Sequence, residues 1–325
     1  MHEHALKVEK RVPDFFIVGH AKSGTTALYE MLRRHPQIYM PDAKEPWFFA
    51  NDPRSQTSAA RSDTFDPGKA FDDYLSLFEA ARPDQRIGEA STGYIWSPTA
   101  ASRIAAARPD ARIIVILREP ASFLHSLHLQ LLQNHNETKR DLRKAMSLEA
   151  DRREGRRIPR SSLRPGLLQY SELVHYVAQL RRYHAAFAPE QVLVLIYDDF
   201  RADNEDTVRK VLRFLEVDEN YPIDVLRANE TVRMRSQQLD DLVHAVSVGR
   251  SPITRALKAT VKTLTPQGLR REAFALTRRR VVFGEPKPPD EKFMTELRLR
   301  FKPEVAALSE YLGRDLLTLW GYDRL

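Results

Sequence analysis

Three unbroken apolar runs punctuate the chain: Phe15-Phe16-Ile17-Val18, Ile113-Ile114-Val115-Ile116-Leu117 and Val192-Leu193-Val194-Leu195-Ile196. Runs of this length with no polar alternation predict parallel strands covered on both faces. Arg86-Ile87-Gly88-Glu89-Ala90 reads as a weaker strand. Between them, helical patterns run over Thr25–Arg34, Pro98–Ala107, Ala121–Gln133, Leu167–Phe187 and Asn204–Leu215. Strands alternating with helices predict an α/β fold, a central parallel sheet flanked by helices.

Two stretches break this rhythm. Residues 137–165 are arginine-rich with acids interleaved, and end in Pro159, Pro165 and Gly166. Residues 248–290 end in Gly284-Glu285-Pro286-Lys287-Pro288-Pro289, a surface connection by composition. Both read as excursions from one domain. The expectation is therefore a tail over residues 1–12 and a single domain over 13–325, with a basic helical excursion at about 248–290.

Composition narrows the function classes. The 325 residues contain no cysteine, which excludes a disulfide scaffold, a thiolate metal site and a cysteine nucleophile. No apolar run approaches the roughly 20 residues of a membrane-spanning helix. The N-terminal residues lack the apolar stretch of a secretion signal, so the chain reads as cytoplasmic. The net charge is +7. Residues 250–280 hold nine Arg or Lys and one acid, Glu272, so this segment alone carries +8 and the rest about −1. A nucleic-acid footprint spread over the surface is not expected. On a helical wheel Ile253, Ala256, Leu257, Val261 and Leu264 oppose Arg255, Lys258 and Lys262. That arrangement allows a peripheral membrane contact through 250–280, or a helix packed on the domain with its basic face in water.

The most informative run is Asp14-Phe15-Phe16-Ile17-Val18-Gly19-His20-Ala21-Lys22-Ser23-Gly24-Thr25-Thr26. A strand ends near Gly19, Gly24 follows five residues later, and a helix begins at Thr25. This is the spacing of a phosphate-binding loop, whose amides and helix N-terminus cradle an anion. Lys22 adds a full charge, and Thr25 and Thr26 add hydroxyls. The plain alternative is an ordinary strand-to-helix turn. The lysine stands two residues before Gly24, whereas the ATPase motif has it directly after the second glycine. A P-loop nucleotide-dependent kinase, with Asp198 or Asp199 after the last strand holding magnesium, is the alternative enzyme.

The Lys22-Ser23-Gly24-Thr25-Thr26 run resembles sulfotransferases that use 3′-phosphoadenosine 5′-phosphosulfate (PAPS), especially the glycosaminoglycan-type and bacterial branch. The resemblance implies that Lys22, Ser23, Gly24, Thr25 and Thr26 hold the 5′-phosphosulfate, with Lys22 also stabilising charge on the bridging oxygen. Ile113–Gln130 matches the family's second segment. There Arg118 and Ser126 correspond to the residues that clamp the 3′-phosphate, and Arg suits a dianion through its forked donors. Lys44-Glu45-Pro46-Trp47-Phe48-Phe49 resembles a third segment, whose Glu is the family's proposed base. Glu45 fits that role, because sulfuryl transfer needs an acceptor for the hydroxyl proton.

His20, Trp47 and Glu89 are weaker candidates for lining the acceptor site. Arg233 and Arg235 fall where the family closes a basic loop over the nucleotide, although its glycine-lysine pattern is absent here. The likeness covers roughly residues 13–245. It implies transfer of a sulfuryl group to a hydroxyl or amine of a glycan, lipid or small-molecule acceptor, with PAP as product. No His-x-x-x-His or carboxylate cluster signals a metal, and none is expected.

Overall fold

The computed structural model describes residues 10–50, 67–225 and 289–325, with the backbone of 233–234 and 283–284. The basic segment 250–280 and Arg235 lie outside the described residues. By its contacts the chain forms two compact units. The first comprises residues 1–123, 171–229 and 298–325; the second comprises 124–170 and 230–297.

The first unit is built on five parallel strands: β1 Phe15–Ile17, β2 Ile38–Tyr39, β3 Arg86–Ala90, β4 Arg112–Leu117 and β5 Val192–Ile196. Their order is β2-β3-β1-β4-β5. Phe16 stands opposite Glu89 on β3 and Ile113 on β4. Every residue of β1, and Ile113 to Leu117 of β4, is fully buried, which explains the unbroken apolar runs. β5 departs from the expectation of cover on both faces: Val192, Leu193 and Val194 are half-buried because this strand forms the sheet edge.

The helices of this unit include α1 Thr25–Leu32, α2 Pro67–Leu75 and α3 Ala100–Ala107. α4, Pro120–Gln133, begins directly after β4 and Arg118-Glu119. Its start is fixed by Glu119, whose carboxylate accepts from the amides of Ala121 at 3.0 Å and Ser122 at 2.7 Å. α1 turns Leu28, Tyr29, Met31 and Leu32 toward Ile17, Ile114 and Ile116. β1 lies between β3 and β4, so the chain reverses direction across the sheet at its carboxyl end. Open parallel sheets bind ligands at that place.

The second unit contains the remainder of α4, α5 Leu142–Met146 and α6 Glu149–Arg153. A buried ion pair anchors it: Arg152 Nη1 lies 2.8 Å from Glu137 Oε2, and Tyr170 donates to the same oxygen at 3.2 Å. Its backbone pairs Arg233 with Gly284 in a short antiparallel ladder of β6 Arg233–Met234 and β7 Phe283–Gly284.

The single helix expected over 167–187 is instead two 3₁₀ turns, Pro165–Leu168 and Tyr170–Val174, followed by α7 Tyr176–His184. Gln179 explains the break. Its amide donates to the carbonyl of Leu173 at 3.0 Å and that of Glu172 at 3.4 Å, satisfying groups that a continuous helix would pair internally. After β5 the chain enters α8 Tyr197–Ala202 and α9 Asn204–Phe214; α10 Glu291–Leu312 and α11 Leu316–Leu319 complete the described chain.

Candidate active site

The loop after β1 makes the turn its glycines predict. Gly24 adopts φ +85° as the cap of α1, and a Cβ there would sit 2.8 Å from the ring of Phe200. Gly19 lies against β4 so closely that a Cβ would stand 2.4 Å from the amide nitrogen of Ile116. No side chain caps α1, so the positive end of the helix opens on the loop. Lys22 itself takes φ +64°, a conformation costly for a residue with a side chain.

Arg118 reaches this loop from the end of β4. Its Nη1 donates to the carbonyl of Lys22 at 2.8 Å, and its guanidinium carbon lies 4.8 Å from the centre of the Tyr197 ring. Tyr176 holds the Arg118 carbonyl at 2.9 Å. Among the described residues neither Lys22 nor Arg118 has a carboxylate within ion-pair distance. Burial, and then the nearby Arg118 charge, push the Lys22 ammonium below its ordinary pKa. Two part-buried cations side by side are costly unless an anion joins them.

The Glu45 segment is pinned to the end of β3. Glu45 donates its amide to the carbonyl of Ala90 at 3.1 Å, and Trp47 donates its amide to Ser91 Oγ at 3.2 Å. Glu45 and Trp47 both adopt left-handed backbones, φ +61° and +58°, on either side of Pro46. The Trp47 indole N–H donates to Glu45 Oε2 at 3.2 Å, and Thr92 Oγ1 lies 3.5 Å from Oε1. The carboxylate is half-exposed and held from one side.

Trp47 is buried, its ring tilted 5.9 Å from that of Trp96. Glu89 is 0% exposed beneath this segment. Tyr74 and Tyr94 donate to its Oε2 at 2.7 and 3.0 Å. Burial pushes its pKa up to about 7, against the pull of the surrounding hydroxyls. His20 turns inward, between Phe123, with which it stacks at 4.6 Å, and Tyr176 at 4.8 Å. Its Nε2–H donates to Gln179 Oε1 at 2.9 Å, and burial lowers its pKa to about 3, so the ring is neutral. Ser23 is buried in the loop and Thr25 at the first position of α1, while Thr26 beside it is exposed.

Lys22 and Arg118 therefore meet, and Glu45 stands at the neighbouring strand end. Ser126 is buried in α4 within the second unit. Arg233 lies in β6, described by its backbone only. Asp198 and Asp199, the acids of the kinase alternative, are engaged elsewhere. Asp198 accepts from Trp320 at 2.9 Å, and Asp199 forms a forked pair with Arg314 at 2.5 and 2.7 Å.

Sequence reasoning passed over Lys44. Its Nζ donates to Thr26 Oγ1 at 2.6 Å and lies 5.4 Å from the centre of the Tyr29 ring. Its place directly before Glu45 was the available signal. Tyr197 beneath Arg118 and Gln179 beside His20 gave none, because each lies far along the chain from its partner.

Residues 13–221 match the model of the Sulfotransferase family. A crystal structure of a sulfotransferase from Alicyclobacillus acidocaldarius superposes with a TM-score of 0.62 at 26% identity, covering 95% of this chain and 98% of that one. Carbohydrate sulfotransferase 15 of Rattus norvegicus is 25% identical over 260 residues, covering 66% of this chain and 46% of the relative. Heparan sulfate glucosamine 3-O-sulfotransferase 3B1 of Homo sapiens is 32% identical over 123 residues, covering 38% of this chain and 28% of the relative. This chain thus spans less than half the length of these two relatives. Among the described residues no helix is long and apolar enough to cross a membrane.

Proposed function

The chain belongs to the sulfotransferase family, and on that premise we propose that it transfers a sulfuryl group from PAPS to a hydroxyl or amine of an acceptor, releasing PAP. One observation carries this reading: the Arg118 guanidinium is bonded to the backbone carbonyl of Lys22 at the carboxyl end of the sheet, and neither cation has a carboxylate partner among the described residues. A nucleotide with phosphates at both the 3′ and 5′ positions supplies the charge these cations lack.

PAPS supplies the sulfuryl group; the chain's residues do the rest. The amides at the start of α1 and the hydroxyls of Ser23, Thr25 and Thr26 bind the 5′ end, with Gly24 giving the loop its turn. Lys22 stabilises the negative charge that gathers on the bridging oxygen as its bond to sulfur breaks. Arg118 binds the 3′-phosphate through donors not used on the Lys22 carbonyl. Glu45 takes the proton of the acceptor hydroxyl as the new sulfur–oxygen bond forms. The indole N–H of Trp47 holds Oε2 of this carboxylate at 3.2 Å and orients it for that step. Positioning and charge stabilisation account for the catalysis.

The carbohydrate and heparan sulfate names of the relatives favour a glycan hydroxyl as acceptor. The test is incubation with PAPS bearing radioactive sulfur and a panel of glycans, lipids and phenols. Label should move to an acceptor in step with PAP release. Protection of the fold by ATP but not by PAP, with no label transferred, would sink the reading.

A further inference from the structure

Thr26 makes a hydrogen bond unlike those of the helical threonines Thr207 and Thr295. Thr207 and Thr295 each donate to the carbonyl four residues back, both at 2.9 Å. This is the ordinary local bond of a helical hydroxyl. The carbonyl four residues before Thr26 belongs to Lys22, and Arg118 already occupies it at 2.8 Å. Among the described residues the one partner of Thr26 Oγ1 is Lys44 Nζ, at 2.6 Å.

The direction of that bond is fixed by chemistry. A lysine ammonium has three donors and no acceptor. Thr26 Oγ1 therefore accepts, and its own O–H proton is turned away from Lys44 with no acceptor among the described residues. Lys44 is itself held. Its ammonium lies over the Tyr29 ring, and the Tyr29 hydroxyl donates to the carbonyl of Pro41. Burial pushes the Lys44 pKa below its ordinary value, while Glu45 and Glu30 act in the opposite direction. Among the described residues no carboxylate lies within ion-pair distance of it.

We propose that Lys44 is a positioning residue that commits the Thr26 hydroxyl to donate to the 5′-phosphosulfate, while clipping the Glu45 turn to α1. The inference rests on the sulfotransferase reading of the loop. It assigns Lys44 an indirect role: its charge polarises Thr26, and Thr26 touches the anion. It also gives donor binding and base placement one shared side chain, because Lys44 and Glu45 are neighbours in sequence.

Calorimetry with PAP and with adenosine 3′-monophosphate, which lacks the 5′ group, tests this on four proteins: wild type, Lys44→Met, Thr26→Ala and the double variant. Lys44→Met keeps most of the aliphatic stem and removes the donor. Wild type should prefer PAP strongly. Each single variant should bind PAP about tenfold more weakly, as expected for loss of one charge-assisted contact. The double variant should lose little more than either single one, because both break the same chain of bonds. Lys44→Arg, which still donates, should stay near wild type. All variants should bind adenosine 3′-monophosphate as wild type does, showing that the fold is intact. Independent losses that multiply in the double variant would overturn the proposal by placing Lys44 on the phosphate directly. Unchanged PAP affinity in Lys44→Met would overturn it as well. A wild-type protein that does not distinguish the two nucleotides would overturn the loop assignment itself, and this inference with it.

Discussion

Arg118 donates to the backbone carbonyl of Lys22 at 2.8 Å, a charge-assisted bond that ties the guanidinium to the loop carrying the second cation. The bond uses one of the five guanidinium donors and leaves four, including the Nε–Nη2 edge. It also ties the end of β4 to the loop after β1. The Arg118 guanidinium and the backbone of Lys22 thus stand in place before any ligand arrives. Such preorganisation is worth more than the same charges assembled on demand, because no reorganisation accompanies binding.

Replacing Arg118 with Ala should weaken PAP by roughly 10- to 100-fold, the range expected for a charged hydrogen-bonded contact of about 1.5–3 kcal/mol. The sharper readout is selectivity. The variant should lose most of its preference for PAP over the nucleotide lacking the 3′-phosphate, measured by calorimetry. Undiminished preference would show that Arg118 does not read that phosphate.

Lys22→Ala should act on turnover more than on binding. A group that meets developing charge costs about 10²-fold or more when removed, whereas its ground-state contact is one of several. Single-turnover transfer of labelled sulfur, set beside PAP affinity, separates the two effects. Equal losses in both would mean that Lys22 only binds.

Glu45→Gln should keep PAP affinity and lose most turnover. Glutamine retains an oxygen that can accept from the Trp47 indole, so the strained turn is preserved while the proton acceptor is removed. Activity near that of wild type would move the proton to another group.

The sheet was legible because four of its strands are apolar or weakly polar runs whose periodicity reports burial directly. β2 was missed because two residues, Ile38 and Tyr39, are too few to show a period. α8 was missed because it follows β5 at Tyr197 with no turn residue between them. The α7 boundary was misread because a side chain decides it: Gln179 pairs the carbonyls of Glu172 and Leu173. The site followed the same division. Lys22 and Arg118 stood out through local spacing next to strands, and Glu45 through the resemblance of Lys44–Phe49 to a family segment. Tyr197 under Arg118, and the bond of Lys44 to Thr26, depend on folding separate segments together; for Tyr197 nothing nearby announces it, and for Lys44 the one signal is its place before Glu45.

The buried pair His20 and Glu89 makes a prediction about pH that a variant in either one exposes. Burial lowers His20 from 6.5 to about 3, so between those values the unfolded chain binds a proton that the folded one refuses. Stability from this group is present above pH 6.5 and is lost as pH falls toward 3. Glu89 has the opposite sign. Burial raises it from 4.5 to about 7, so the folded chain keeps a proton that the unfolded one releases. Its contribution is present below pH 4.5 and is lost as pH rises toward 7. Between 4.5 and 6.5 the two slopes oppose each other, each worth about 1.4 kcal/mol per pH unit at most. Their joint effect on wild-type stability is therefore nearly flat in that window. Glu89→Gln, which still offers an oxygen to Tyr74 and Tyr94, should unmask the histidine: urea midpoints should climb with pH from about 4.5 to 6.5 relative to wild type. His20→Asn should do the reverse, its midpoint falling relative to wild type over the same range. Parallel profiles for wild type and both variants would mean that neither group is held in the protonation state its burial dictates.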